Sequence, residues 1–251
     1  MEKLLNIELY NFLFIFLRIG SGIMVMPGFN ASYVNPRMRL SIALAVTLVL
    51  VPFLSPIMPE PPKDFLEMVK MCLFEIIYGV FLGLMMQFLY TALTLVGNFA
   101  GQSIGFANAQ AFDPATENQS IVIQSFLSLL ALTIIFITDL HHLMLGAAVD
   151  SYHIFPVGSP LPLGDFNEFL RKTLNESFVV GFKLSAPFIA FSIIFYSGMG
   201  LVSRLMPQLN VFFLSLPLQI YLGTGLLLIT TPTIIIWFLK YYEDGIYQFT
   251  H

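Results

Sequence analysis

Asp139, His141 and His142 place one carboxylate and two imidazoles within four residues, the ligand types that hold a divalent transition metal. Neighbouring side chains on a helix point about 100° apart, however, and no His-Glu-x-x-His spacing sets two imidazoles on one face. The remaining histidines are His153 and His251. The trio therefore reads as a helix end at a membrane interface, with no metal expected. Hydrolysis fares no better, because no Gly-x-Ser-x-Gly elbow and no glycine-rich phosphate loop is present. The single cysteine, Cys72, excludes an intrachain disulfide and a thiolate-rich metal site, and reads as a small buried apolar residue. No enzyme and no cofactor are expected.

Two cations, Arg18 and Lys183, interrupt otherwise apolar stretches. An ionisable group in such a place marks a pathway or a buried partner. Glu75 and Asp113 are available carboxylates, which spacing alone assigns to neither cation. For Lys183, near the start of its run, extension toward the interface is an equal reading. The other constellation is a ladder of small residues four apart, Gly97, Gly101, Gly105 and Ala109, on one helix face where a second backbone can approach closely. Asn98, Gln102, Ser103, Asn108 and Gln110 run through it, and Phe106 and Phe112 lead to Asp113-Pro114. The segment is too polar for a lipid-facing span and too rich in glycine for a firm helix. Two readings stay open: a loop with a helix-packing patch, or a flexible plug with Phe106 and Phe112 as bulky stoppers.

The elements that must position these groups belong to a membrane. Hydrophobic residues make up 57% of the 251 and charged ones 10%, with a mean hydropathy of +0.82, against roughly 45–50% and 25% in soluble domains. Six apolar runs follow one another: Leu9 to Met26, Leu40 to Ile57, Met71 to Val96, Ile121 to Ile137, Phe178 to Val202 and Val211 to Leu239. They range from about 17 to about 29 residues, enough to cross a ~30 Å hydrocarbon layer as helices. Barrel strands would alternate apolar and polar residues over ~10 positions, and these runs do not. The expected fold is all-α and polytopic, a single integral domain over 1–251. Within it lie a plug-like segment at 97–114 and a polar loop at 138–170 that holds a short amphipathic helix.

Pro187, Pro217 and Pro232 remove backbone donors inside the last two runs, which predicts kinked or broken helices whose freed carbonyls need protein neighbours. Glu2 and Glu8 around Lys3, with Arg18 inside the first run, argue against a cleaved signal peptide. By the positive-inside rule, the loops carrying Lys3, Lys63, Lys70, Arg171, Lys172 and Lys240 face the cytoplasm, opposite Arg37, Arg39 and Arg204. The net charge of −4, spread over connecting segments, leaves no footprint for nucleic acid.

Three stretches carry a resemblance. Arg204 to Ile220 contains Arg-x-x-Pro-Gln-x-Asn-Val-Phe, that is Arg204, Pro207, Gln208, Asn210, Val211 and Phe212, followed by Pro217. Arg18-Ile-Gly20 precedes Pro27 and Pro36-Arg-Met-Arg39, and Gly97 to Pro114 ends in Phe-Asp-Pro. Together, along essentially the whole chain, they resemble the FliR/SctT family of type III secretion export-gate subunits, with the flagellar branch the nearer. The resemblance implies a tilted, helical hetero-oligomer with FliP-type and FliQ-type subunits, joined by FlhB-type and surrounded by FlhA-type proteins. It implies a place in the bacterial inner membrane at the flagellar basal body, in contact with lipid, where unfolded export substrates pass through the gate. It implies a plug loop at Gly105 to Asp113 and a tight turn, Arg204 to Asn210, packed on neighbouring subunits.

Other readings compete with this one. A secondary transporter of a small solute would also use broken helices and buried charges, but the chain shows no internal repeat and few pairable charges. An intramembrane enzyme needs a nucleophile or metal constellation that the sequence lacks. An assembly scaffold that does not line the path is compatible with every motif above. Twelve methionines and 26 phenylalanines suit a seal that excludes water by dewetting, though most of them must be ordinary packing residues.

Overall fold

The computed structural model describes residues 2–30, 34–62, 64–105, 119–208 and 211–248, and only the backbone of 2–7, 119–121 and 211–214. Among the described residues there are seven α-helices and no strand: α1 (Glu2–Val25), α2 (Pro36–Leu54), α3 (Phe65–Ser103), α4 (Gln119–Ile137), α5 (Leu140–Ile154), α6 (Leu163–Leu205) and α7 (Val211–Tyr247). The protein is thus an all-α polytopic membrane protein. Five helices are long and apolar enough to cross a membrane, and α4 with α5 makes a sixth if that bent pair counts as one span.

Local chemistry sets several boundaries. Asn35 starts α2, its side-chain oxygen accepting from the Arg37 amide at 3.0 Å, and Pro36 supplies a first position that needs no N–H. Asp139 parts α4 from α5 by adopting φ 59°, a left-handed conformation uncommon outside glycine. The expected polar stretch at 138–170 accordingly contains α5, whose Leu140, Met144, Ala147, Ala148, Ser151 and Tyr152 form one buried face, and the start of α6.

Of the kinks or breaks expected at Pro187, Pro217 and Pro232, breaks do not occur: α6 continues for 43 residues across Pro187, and α7 for 37 across Pro217 and Pro232. In elements of that length the turns on either side outlast the loss of one hydrogen bond. Glycine does not dissolve the end of α3 either: the helix continues through Gly97 and Gly101 to Ser103. At Gly97 the missing side chain is what admits Gln124 of α4, whose Cα stands 2.5 Å from where a Cβ would be.

The chain divides into two compact units. The first comprises Met1–Leu89, Asp139–Leu174 and Glu243–His251; the second comprises Tyr90–Thr138 and Asn175–Tyr242. In the first unit α1 meets α3 along a seam of small residues. A Cβ on Gly79 would collide with the Arg18 carbonyl oxygen and Ser21 Oγ, and one on Gly83 would lie 2.8 Å from the Gly22 oxygen. Beside the seam Tyr78, Phe81, Phe155 and Phe166 interlock, the last two pairing with Phe81 at 6.5 and 3.9 Å between ring centroids. In the second unit Leu93, Val96 and Ala100 in the tail of α3, Leu127 and Ala131 of α4 and Phe238 of α7 are all buried. Large apolar side chains remain outside, among them Leu48 and Phe53 of α2, Ile193 and Ile194 of α6, and Ile229 and Trp237 of α7. Such faces require lipid or other chains over them.

Candidate functional site

The end of α3, in the second unit, brings several of the sequence-predicted residues into a tightly constrained polar spot. The last four carbonyls of a helix lack intrahelical donors, and here three of them are seen to find one. Ala100 O accepts from the Ile104 amide at 2.9 Å and Gln102 O from the Gly105 amide at 3.2 Å. Ser103 O accepts from Nε2 of Gln219, on α7, at 2.8 Å. The same Nε2 donates to the Tyr196 hydroxyl of α6 at 3.1 Å. Gly105 turns the chain with φ +91°, and a Cβ there would stand 2.9 Å from the Gln219 carboxamide carbon. One turn along α7, Gly223 faces Ile104 so closely that a Cβ would meet its Cγ1 at 2.7 Å.

Gly97, Gly101 and Gly105 therefore occupy the last turns of α3 and the turn after it. Gly101 is buried. Phe106, Ala109, Phe112, Asp113 and Asn210 lie outside the described residues, as does the side chain of Phe212. Arg204, Pro207 and Gln208 are exposed where α6 ends and the chain turns toward α7. Pro217, with Pro187, Phe191, Tyr221 and Gly225, lines an open apolar groove of about 1190 Å³ between α6 and α7.

The two cations have opposite fates. Arg18, on α1, is 1% exposed and forms a bidentate pair with Glu75 of α3, Nε to Oε2 at 2.6 Å and Nη2 to Oε1 at 2.9 Å. Its third nitrogen donates to the Ser151 carbonyl of α5 at 3.2 Å. Tyr78 and Tyr152 stack on the guanidinium, with their centroids 4.7 and 4.1 Å from Cζ. A fully desolvated guanidinium is tolerable because carboxylate, carbonyl and two aromatic faces replace water. Lys183 is exposed on α6.

Asp139, His141 and His142 lie closer together than helical divergence predicts. The two imidazole rings stand 4.1 Å apart between centroids, and the ligand atoms of all three residues lie within 4.8 Å of one another. The left-handed Asp139 brings its carboxylate 3.7 Å from His142 Nδ1, yet both side chains are more than two-thirds exposed. Zinc bonds of about 2.0–2.2 Å would demand closer ligands, and so rotation of these side chains.

Sequence reasoning singled out Arg18 and named Glu75 as a candidate partner. It missed Gln219, Tyr196 and the tyrosine pair around Arg18. A primary amide inside the apolar run between Pro217 and Gly223 was the available signal for Gln219.

The arrangement defines a class: a polytopic helical membrane protein whose interior polar groups lock helices to one another. The chain belongs to the bacterial export proteins, family 1, whose family model matches residues 9–245. It is similar to the flagellar biosynthetic protein FliR of Caulobacter vibrioides, 34% identical over 94% of both chains. It is also similar to those of Bacillus subtilis, 30% identical over 90% of this chain and 87% of that one, and of Aquifex aeolicus, 30% identical over 97% and 94%.

Proposed function

We propose that this protein is an inner-membrane subunit of the flagellar type III export gate, helping to form and close the channel for unfolded export substrates. The near end-to-end similarity to proteins named flagellar biosynthetic protein FliR carries the reading. Its companions are FliP-type and FliQ-type subunits, with FlhB-type and FlhA-type proteins around them. The exposed apolar faces of α2, α6 and α7 suit burial against such neighbours. Arg204, Pro207, Gln208, Asn210, Phe212 and Pro217 pack on adjacent subunits, and the segment Gly105 to Asp113 acts as the plug, with Phe106 and Phe112 as its obstructing side chains.

A closed conduit must exclude water and ions yet part around a peptide of variable side chains, a task suited to a short segment starting at a glycine. Deleting Gly105 to Asp113 is expected to make cells leak small solutes while the gate still assembles; unchanged permeability would sink the plug. Crosslinking a stalled export substrate from position 106 or 112 separates a channel-lining role from a scaffold, which would give no adduct.

A further inference from the structure

We propose that the groove between α6 and α7 binds one anionic phospholipid, with its phosphate on Lys183 and an acyl chain laid between the two helices. The site is separate from the plug and does not depend on how the channel closes. Both walls belong to the second unit, where Ser177 Oγ meets the Tyr241 hydroxyl at 2.8 Å and Gln219 Nε2 meets the Tyr196 hydroxyl at 3.1 Å. Those two bonds set the helices antiparallel, so Lys183 lies level with the stretch of α7 just past Ile229, at one end of the groove. On α6 the wall comes from Pro187, Ala190, Phe191 and Ile194, spaced three and four apart on one face. Lys183 stands four residues before Pro187 and continues that stripe by one turn. It is exposed, and no salt bridge among the described residues reaches it. Glu176, the nearest acid on α6, is about two turns or ~10 Å of helix away. Pro187 has no N–H to give the Lys183 carbonyl, which leaves an acceptor at the same end for a headgroup hydroxyl.

Depth favours a lipid over a carboxylate from another chain. Leu184 to Ser203 contains no charged residue and is followed by Arg204. Its length of about 30 Å as a helix equals that of the ~30 Å hydrocarbon layer. Lys183 therefore stands at headgroup level, where phosphates lie and lysine side chains extend to meet them. From there the groove runs about 18 Å along α7, from Ile229 to Pro217, close to the ~15 Å depth of one leaflet. Its volume of about 1190 Å³ exceeds the ~300–1,000 Å³ of pockets for drug-sized ligands, and no charged side chain lines it. Ile194, Tyr221 and Ile229 on its walls are more than two-thirds exposed, so the groove opens where a chain can enter from the side.

The full chain, purified with the subunits that accompany it and returned to vesicles, tests the site. Phe191→Trp in a Trp237→Phe background puts an indole in the groove wall, read against Trp237→Phe alone, which removes the only tryptophan of this chain. The vesicles are phosphatidylcholine with a minor share of either phosphatidylglycerol or phosphatidylcholine carrying brominated acyl chains, which quench an indole on contact. Phosphatidylglycerol is expected to quench at about tenfold lower content, the scale of one charge-assisted hydrogen bond. Lys183→Gln is expected to abolish that preference and Lys183→Arg to keep it. Gly225→Phe, at a groove position with nothing within 4 Å of a Cβ, is expected to reduce quenching by both lipids. Equal quenching by the two lipids with Lys183 in place would overturn the site and leave only unselective surrounding lipid. No quenching by either would overturn it in favour of a protein partner seated in the groove. If Phe191→Trp fails to fold, native mass spectrometry of the parent, Lys183→Gln and Gly225→Phe decides. The parent alone should then keep one phosphatidylglycerol through a detergent wash, and retention by all three or by none would overturn the site.

Discussion

Arg18 shows what a single residue can demand of a membrane fold. Its guanidinium has no solvent, so Glu75, the Ser151 carbonyl and two tyrosine rings must all arrive before α1, α3 and α5 can close. Removing one member of such a pair leaves an uncompensated charge, which typically costs about 3–5 kcal/mol. Glu75→Ala is therefore expected to lower the melting temperature of the purified protein and its level in the membrane. Arg18→Met combined with Glu75→Leu should recover much of that loss, which melting curves of the three variants would check. Arg18→Lys should fall between, because an ammonium cannot make the bidentate bond. Equal stability of Glu75→Ala and the parent would show that the pair contributes nothing.

Among the helices, glycines with opposite surroundings make a matched test. Gly79 on α3 sits against the backbone of α1, whereas Gly146 on α5 has nothing within 4 Å of a Cβ. Gly79→Ala should part the two helices at a cost of about 1–3 kcal/mol, the usual range for overpacking. Gly146→Ala should be neutral or stabilise by up to about 1 kcal/mol through helix propensity. Thermal denaturation of both variants in one detergent measures the contrast, and a reversed order would remove the seam from the account. The prolines of α6 and α7 make the same point from the other side: residue type predicted kinks or breaks, and the long helices continue unbroken across them.

For the whole molecule, the apolar residues left outside both units decide how the chain must live. Ile194 and Ile229 are more than two-thirds exposed, and most of the apolar window of α6 is unburied. Lipid alone can cover such faces, but close packing against other subunits would bury them more tightly. Expressed alone, the chain is expected to be degraded or to aggregate on extraction. Co-expressed with FliP-type and FliQ-type proteins, it should purify as a defined complex, read by size-exclusion chromatography and subunit composition. A stable lone monomer with solute-coupled transport would favour the transporter reading instead.

The sequence by itself determined the fold class, since six helix-length apolar runs admit no other solution in a bilayer, where backbone groups must bond within their own segment. It also marked Arg18 as requiring a partner, the Gly97 ladder as a place of close approach, and the family through motifs strung along the chain. Tertiary structure decided which carboxylate answered Arg18, because 57 residues of chain separate the pair and only the crossing of α1 over α3 brings them within 2.6 Å. It likewise decided that α3 outlasts its glycines and that Gln219 donates to its last carbonyl, a bond spanning 116 residues. Neither follows from spacing, because long-range partners are selected by packing and local periodicity specifies only the face on which a residue stands.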